Sequence, residues 1–146
     1  MTRLAAFGLS LAVPARWHAR AFRHTGGEPT LHLASFPLPA GDGEFGTRAT
    51  SAMPAPGVFL ALTEYRTRPE ALGHGLFAAR RPDRVAAESL SAHALLRQLP
   101  GQRGAQRFFS CAGRAFCLYV VAAGESDTLL GTANAALESL AVEPLA

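Results

Sequence analysis

The sequence contains no lysine, only two cysteines and a low proportion of charged residues, 17%. All fourteen positive residues are arginine, and together with the high alanine content this is typical of a G+C-rich genome rather than of selected guanidinium chemistry. Two cysteines cannot form the disulfide framework of a small secreted domain, so we expect reduced thiols in a cytoplasmic protein. No apolar run approaches the roughly 20 residues of a membrane-spanning helix, and no membrane association is expected.

Motifs that would mark an enzyme are also scarce. The five histidines show no H-x-H or H-E-x-x-H spacing, neither cysteine lies in a C-x-x-C pair, and no G-x-S-x-G elbow occurs. One G-x-G-x-x-G pattern spans residues 41–46, but Asp42 and Glu44 would repel a phosphate, and the helix after it would be too short for a dinucleotide-binding unit. A flexible acidic loop explains this pattern better. We therefore expect no catalytic residue, no metal and no cofactor.

What the sequence does contain is enough apolar material for one domain over residues 1–146. Hydrophobic residues make up 49% of the chain, which is typical of a globular protein and not of a disordered one. The net charge is only +3, but it is unevenly distributed. Residues 80–114 hold seven arginines and two acids, a net charge of +5, while residues 115–146 hold four acids and no arginine. The folded domain should therefore have a dipolar surface.

The longest apolar stretch, residues 108–122, organises the rest of the chain. Its aromatic and β-branched residues around Gly113 predict a β-hairpin whose second strand is buried on both faces. The segment 126–140 predicts a helix with one apolar stripe, formed by Leu129, Leu130, Ala133, Ala136, Leu137 and Leu140. A hairpin followed by an amphipathic helix that returns over it forms half of a two-layer core.

The turn of this hairpin decides where the two thiols lie. A two-residue turn at Gly113-Arg114 has glycine at its first position, as a type II′ turn requires, and pairs Cys111 with Phe116. The two thiols then lie on opposite faces, whereas a turn centred one residue later would place them opposite each other. The first register is favoured, and we expect Cys111 and Cys117 to stay unpaired.

Shorter patterns predict the remaining elements. Strands are expected at residues 7–13, 17–22, 30–36 and 58–65, with one helical turn near 47–53. A short strand at 75–79 and a weak helix at 86–99 are further predictions. The first thirteen residues also resemble a signal peptide, but the alternation from Phe7 to Val13 favours a strand. The predicted fold class is α+β, with helices packed on a mostly antiparallel sheet.

Several short motifs carry a resemblance to known families. Phe7 to Val13 followed by Pro14, two residues and Trp17 resembles the opening of the PsbP-like and DcrB-like families. The apolar strand after Gly113, the helix that ends at Leu140 and a short strand at Val142 are similar to their closing pattern. Residues 33–39 and 99–102 resemble a group of actinobacterial proteins. The resemblance implies an α/β/α sandwich around an antiparallel sheet, and a role as assembly factor, chaperone or adaptor, with no catalytic residues to transfer.

The sequence thus predicts a non-enzymatic interaction, adaptor or chaperone-like protein. Its candidate partner-binding residues are Arg97, Arg103, Arg107 and Arg114, whose guanidinium groups suit an acidic protein surface. The arginines are scattered through a loop and a weak helix, which argues against nucleic-acid binding. The alternative is a small-ligand-binding domain, or a minor enzyme, that uses a cleft beneath loop 38–57.

Overall fold

The computed structural model describes residues 2–66 and 68–145, which form eight strands and two α-helices. Four single 3₁₀ turns interrupt the long connection before β6, at Pro69–Ala71, Gly75–Phe77, Ala87–Ser89 and Ala92–Ala94. The strands and helices are β1 (Thr2–Ala6), β2 (Leu9–Val13), β3 (His18–Phe22), β4 (Thr30–Ala34), α1 (Thr47–Ser51), β5 (Gly57–Tyr65), β6 (Gln102–Cys111), β7 (Arg114–Ala123), α2 (Asp127–Glu138) and β8 (Ala141–Val142).

The strands form two antiparallel sheets. The larger sheet has the order β3-β4-β5-β7-β6 and the smaller has the order β1-β2-β8. Every described strand pair is antiparallel, which confirms an α+β fold with a mostly antiparallel sheet. The strands predicted at 17–22, 30–36 and 58–65 are β3, β4 and β5, with ends shifted by a few residues. The strand predicted from Phe7 starts two residues later, because Phe7 and Gly8 form the turn between β1 and β2.

The central hairpin is confirmed, but its predicted turn is wrong. The turn lies at Ala112-Gly113, where both residues have positive φ (54° and 74°), as a type I′ turn requires. Cys111 therefore pairs with Arg114, and Phe109 pairs with Phe116 and stacks on it at 5.5 Å between ring centroids. The observed pairing differs from the predicted one by two residues. A shift of two leaves every side chain on its predicted face.

Each face of the larger sheet borders its own hydrophobic core. The α2 core joins the sheet, β2 and the helix, and α2 buries the predicted stripe through Leu130, Ala133, Ala136 and Leu137. The second core, here called the loop core, lies under the connection between β4 and β5. It contains Ala34, Phe36, Ala49, Phe59, Ala61, Leu95, Tyr119 and Val121. Strand β7 is buried at all ten positions because it lies between the two cores. Neither α1 nor α2 is long and apolar enough to cross a membrane.

The connection between β5 and β6 departs most from the predictions. The helix predicted at 86–99 is wrong, since this segment contains only two 3₁₀ turns, and the strand predicted at 75–79 is a 3₁₀ turn. The backbone here bonds to β6 instead of to itself: Ser91 and Gly104 exchange both N–H···O bonds, and Ser110 N–H donates to Ala79 O at 3.1 Å. These bonds satisfy backbone groups at the edge of β6 that a local helix would leave unpaired.

Candidate functional site

The structure separates the four arginines proposed as a partner-binding cluster. Arg114 belongs to the interior, with a side chain only 1% exposed, so it cannot contribute to a surface. Arg97 follows the last 3₁₀ turn and approaches Thr47 O of α1 at 3.4 Å, on the loop-core side. Arg103 and Arg107 lie on the same face of β6 as Ala105 and Phe109, because all four are spaced two residues apart. Ala105 and Phe109 belong to the α2 core, so this is the face of the α2 core. Of the four, only Arg103 and Arg107 are therefore both on that face and partly exposed.

Arg114 instead ties three parts of the chain together. Its Nε and Nη2 donate to the two carboxylate oxygens of Glu64 on β5, at 2.9 and 2.7 Å. Nη2 also donates to Phe7 O in the β1–β2 turn, and Nη1 donates to Glu143 O after β8, each at 3.0 Å. These bonds join the larger sheet to one end of the smaller sheet, where the β1–β2 turn meets the residue after β8. Arg114 therefore has a structural role, which its neighbours along the sequence did not reveal.

Other arginines lie on the side of the larger sheet that α2 covers. Arg81 Nη2 donates to Leu137 O at the C-terminal end of α2, at 2.7 Å, where a cation is favoured by the helix dipole. The adjoining Val85 exchanges two hydrogen bonds with the Asn134 amide of the same helix, which holds exposed Arg84 on this side. We name Arg81, Arg84, Arg103 and Arg107 the arginine face. Within it, Arg103 alone has an acidic partner among the described residues, Asp127 at 3.7 Å.

The thiols lie as predicted, on opposite faces of the hairpin, and both are free. Cys117 is fully buried under the loop, and this burial raises the pKa of its thiol to about 11. Cys111 is partly buried on the other face. Low exposure and a high pKa keep the Cys117 thiol protonated and unreactive at neutral pH.

Most of the space beneath loop 38–57 is filled by side chains. Leu38, Phe45 and Met53 from the loop pack on the loop core. Phe45 contacts Tyr119 edge to face at 5.8 Å, and the Tyr119 hydroxyl accepts a hydrogen bond from Leu96 N–H at 2.9 Å. The predicted cleft is therefore closed at its centre, and what remains of it lies over β3 and β4.

Over those two strands, side chains hold the loop by its backbone carbonyls. Arg20 Nη1 donates to Pro39 O at 2.6 Å and to Ala40 O at 3.1 Å. His24 bonds Asp42 O at 3.0 Å, and His32 bonds Glu44 O at 2.8 Å, each through Nε2. A carbonyl only accepts, so both histidines carry a proton on Nε2. The loop segment 39–44 is thus fastened at several points to β3, β4 and the turn between them.

The same segment explains the glycine-rich pattern at residues 41–46. The Asp42 carboxylate accepts hydrogen bonds from the backbone N–H groups of Arg48 and Ala49, at 3.0 and 2.9 Å, and so caps α1. Gly46 has a φ of 67°, and a Cβ there would lie 2.1 Å from the Phe59 ring. The pattern therefore serves to fit the loop onto the core, and the loop is held by specific bonds.

Polar atoms without a hydrogen-bond partner collect in this one place. Among the described residues, the buried side-chain atoms of this kind are Arg20 Nε and Nη2, Thr30 Oγ1 and His32 Nδ1. Arg20 pairs with His32 across β3 and β4, and the next pair on the same face is Phe22 with Thr30. Burial of His32 lowers the pKa of its imidazole, and Arg20 lowers it further, so the ring is neutral and Nδ1 can only accept.

A small cavity opens beside these atoms. Its volume is about 130 Å³, and its lining residues are Arg20, Phe22, His24, Ala40, Gly41 and Asp42. We name this cavity and the adjacent polar atoms the β3–β4 site. The only sequence signal for this site was the spacing of two residues between Arg20 and Phe22, and between Thr30 and His32, which places each pair on one face of its strand.

The described residues contain no group of three or more histidine, cysteine or acidic side chains placed to hold a metal ion. The resemblance to PsbP-like and DcrB-like proteins depends on the short sequence motifs given above and stays a prediction. Comparison with protein-family models, with curated proteins and with solved structures found no match to this chain.

Proposed function

We propose that this protein is a non-enzymatic interaction, adaptor or chaperone-like module of the cytoplasm, with an α/β/α arrangement of the PsbP-like or DcrB-like kind. The presence of α2 on one face of the larger sheet, and of the loop with α1 on the other, supports that arrangement. Its partner would be an acidic protein surface that docks on the arginine face.

One observation carries this proposal: the arginines of the arginine face form few ion pairs, although Asp83 and Glu138 line a cavity together with Arg81. Arg81, Arg84 and Arg107 have no acidic side chain within ion-pair distance in the described chain, and the Arg103 contact to Asp127 is long and exposed. Arginine keeps its charge at all physiological pH values, and its planar fork matches a carboxylate. Each exposed ion pair contributes under about 1 kcal/mol, so several together are needed for useful affinity.

The test changes the charge of this face without disturbing its packing. Arg84→Glu combined with Arg107→Glu alters two arginines that, in the described chain, form no side-chain hydrogen bond or ion pair with another element. Arg103 is left in place because a glutamate there would face Asp127. The matched control is Arg16→Glu with Arg68→Glu, which makes the same charge change at exposed positions outside the face.

We expect a genuine partner, isolated with the wild-type protein from its native host, to bind the control pair normally and the Arg84/Arg107 pair much more slowly. Charge steering acts mainly on the association rate, which should fall as salt is raised from about 50 to 300 mM. Equal rates for the two double variants would show that the arginine face is merely solvated.

A second candidate function, binding of a small ligand, is favoured by the unpartnered polar atoms of the β3–β4 site. A buried polar group without a partner is costly, which makes such a cluster a candidate for ligand contact. Titration of ¹⁵N-labelled protein with glycerol, ethylammonium and acetate, as neutral, cationic and anionic probes, tests it. Saturable shifts of the backbone amide signals of residues 38–46 are expected from at least one probe. No shift with any of the three would exclude this function.

A further inference from the structure

The chain contains its own example of how an arginine is used in its interior. Arg114 directs one edge of its guanidinium, Nε and Nη2, at both oxygens of the Glu64 carboxylate, at 2.9 and 2.7 Å. The N–H groups of this edge are parallel and match the spacing of two carboxylate oxygens. The remaining nitrogen, Nη1, donates to a backbone carbonyl, Glu143 O.

Arg20 is held in the same manner but lacks a carboxylate. Its Nη1 donates to the carbonyls of Pro39 and Ala40, which fixes the guanidinium under the loop. Its Nε and Nη2 are buried and have no hydrogen-bond partner among the described residues. The guanidinium also lies 5.6 Å from the centre of the Phe22 ring, a cation–π contact that further restrains it. Arg20 thus presents, in a fixed position, the edge that Arg114 uses for Glu64.

Of the two residues of β4 at this site, Thr30 suits a carboxylate, whereas His32 Nδ1 can only accept and does not bind one. Thr30 Oγ1 belongs to the next cross-strand pair and can donate a hydrogen bond to a carboxylate oxygen. His24 lines the adjoining cavity, and its Nε2–H group donates to Asp42 O. The acidic lining residue, Asp42, already accepts bonds from the backbone N–H groups of Gly43, Arg48 and Ala49, which offset its charge.

We propose that the β3–β4 site binds a small carboxylate, with the Nε–Nη2 edge of Arg20 as its principal contact. This inference rests on the second candidate function and names its ligand class. A cavity of about 130 Å³ suits a short-chain acid or the carboxylate end of a longer one.

The experiment observes Arg20 directly in the full chain. The side-chain Nε–H signals of ¹⁵N-labelled protein are recorded during titration with sodium acetate, with sodium chloride at equal ionic strength as the reference. Arg20→Lys assigns the signal, and Arg23 provides an exposed arginine nearby. We expect the Arg20 signal to shift saturably with acetate. The Arg23 signal should respond to acetate no more than it responds to chloride. An Arg20 signal that responds equally to acetate and chloride would overturn the inference.

Two further measurements decide the chemistry. Arg20→Lys should weaken acetate binding by at least about tenfold because lysine lacks the fork, whereas Arg23→Lys should leave it unchanged. Should the lysine variant lose the loop structure, the wild-type titration decides alone. Saturation of the Arg20 signal by inorganic phosphate but not by acetate would overturn the carboxylate assignment. If glycerol or ethylammonium shifts the loop amides and acetate does not, the carboxylate inference fails while the second candidate function stands.

Discussion

Replacement of Arg114 by methionine tests how strongly the buried ion pair stabilises this fold. Methionine keeps much of the apolar stem but removes the charge and all four hydrogen bonds, and it leaves the Glu64 carboxylate buried without its cation. Removal of one partner from a buried pair costs about 3–5 kcal/mol. The total stability of a domain is about 5–15 kcal/mol, so we expect a large loss.

The chain offers a matched control in its second arginine–glutamate pair. Arg66 and Glu28 approach each other at 2.8 Å, a distance close to that of Arg114 and Glu64, but the Arg66 side chain is 78% exposed against 1% for Arg114. Because exposed pairs are hydrated and screened, Arg66→Met should cost under about 1 kcal/mol. The contrast between the two variants isolates the effect of burial.

The assay is equilibrium urea unfolding, followed by far-ultraviolet circular dichroism and by fluorescence of Trp17, the single tryptophan. Coincident curves from both probes justify a two-state analysis. At roughly 2–4 °C per kcal/mol, Arg114→Met should also lower the melting temperature by about 10 °C. Equal and small losses for Arg114→Met and Arg66→Met would refute the reasoning, because burial would then have no energetic consequence.

Three other predictions concern buried positions. Burial lowers the folded-state pKa of His32 below its usual 6.5, so its contribution to stability is present above pH 6.5 and is lost as the pH falls below that value. Urea unfolding of the wild-type protein at several pH values should show this loss of stability, and the same measurement on His32→Gln should not show it. In the native protein iodoacetamide should modify Cys111 before Cys117, and under denaturing, non-reducing conditions it should modify both; two blocked thiols would contradict the free state. Gly46→Ala should lower the free energy of unfolding by more than about 1 kcal/mol, since its Cβ would overlap the Phe59 ring. Gly43→Ala is the control: a Cβ there would meet nothing within 4 Å, so the free energy of unfolding should change by less than about 0.5 kcal/mol. Similar losses in the two variants would contradict this account.

Local periodicity was sufficient to predict the elements in which the pattern of apolar residues matches the observed burial. The apolar stripe of α2 and the uninterrupted apolar run of β7 are visible in the sequence, because each residue's exposure there follows directly from helix or strand geometry. The opposite placement of the two thiols could also be predicted. It depends only on the parity of the strand register, which the error in the turn left unchanged.

The register itself was decided by tertiary contacts. The sequence pattern predicts Arg114 in the turn and at the surface, because its neighbours Gly113 and Ala115 carry no sign of a buried carboxylate. Its partner Glu64 lies fifty residues earlier in the chain, and only the pairing of β5 with β7 brings the two together.

The same reason explains the segment 86–99 and the β3–β4 site. Leucine spacing in 86–99 is compatible with a helix, but the open edge of β6 takes its backbone hydrogen bonds. Arg20 and His32 lie twelve residues apart, and strand pairing places them side by side. The loop that covers them bonds to both, but the sequence around either residue does not predict this contact. The sequence alone therefore determined which segments are buried, because hydrophobic burial depends on the apolar content of each segment. Contacts between distant segments decided which polar groups are buried with them, because each buried polar group requires a particular partner.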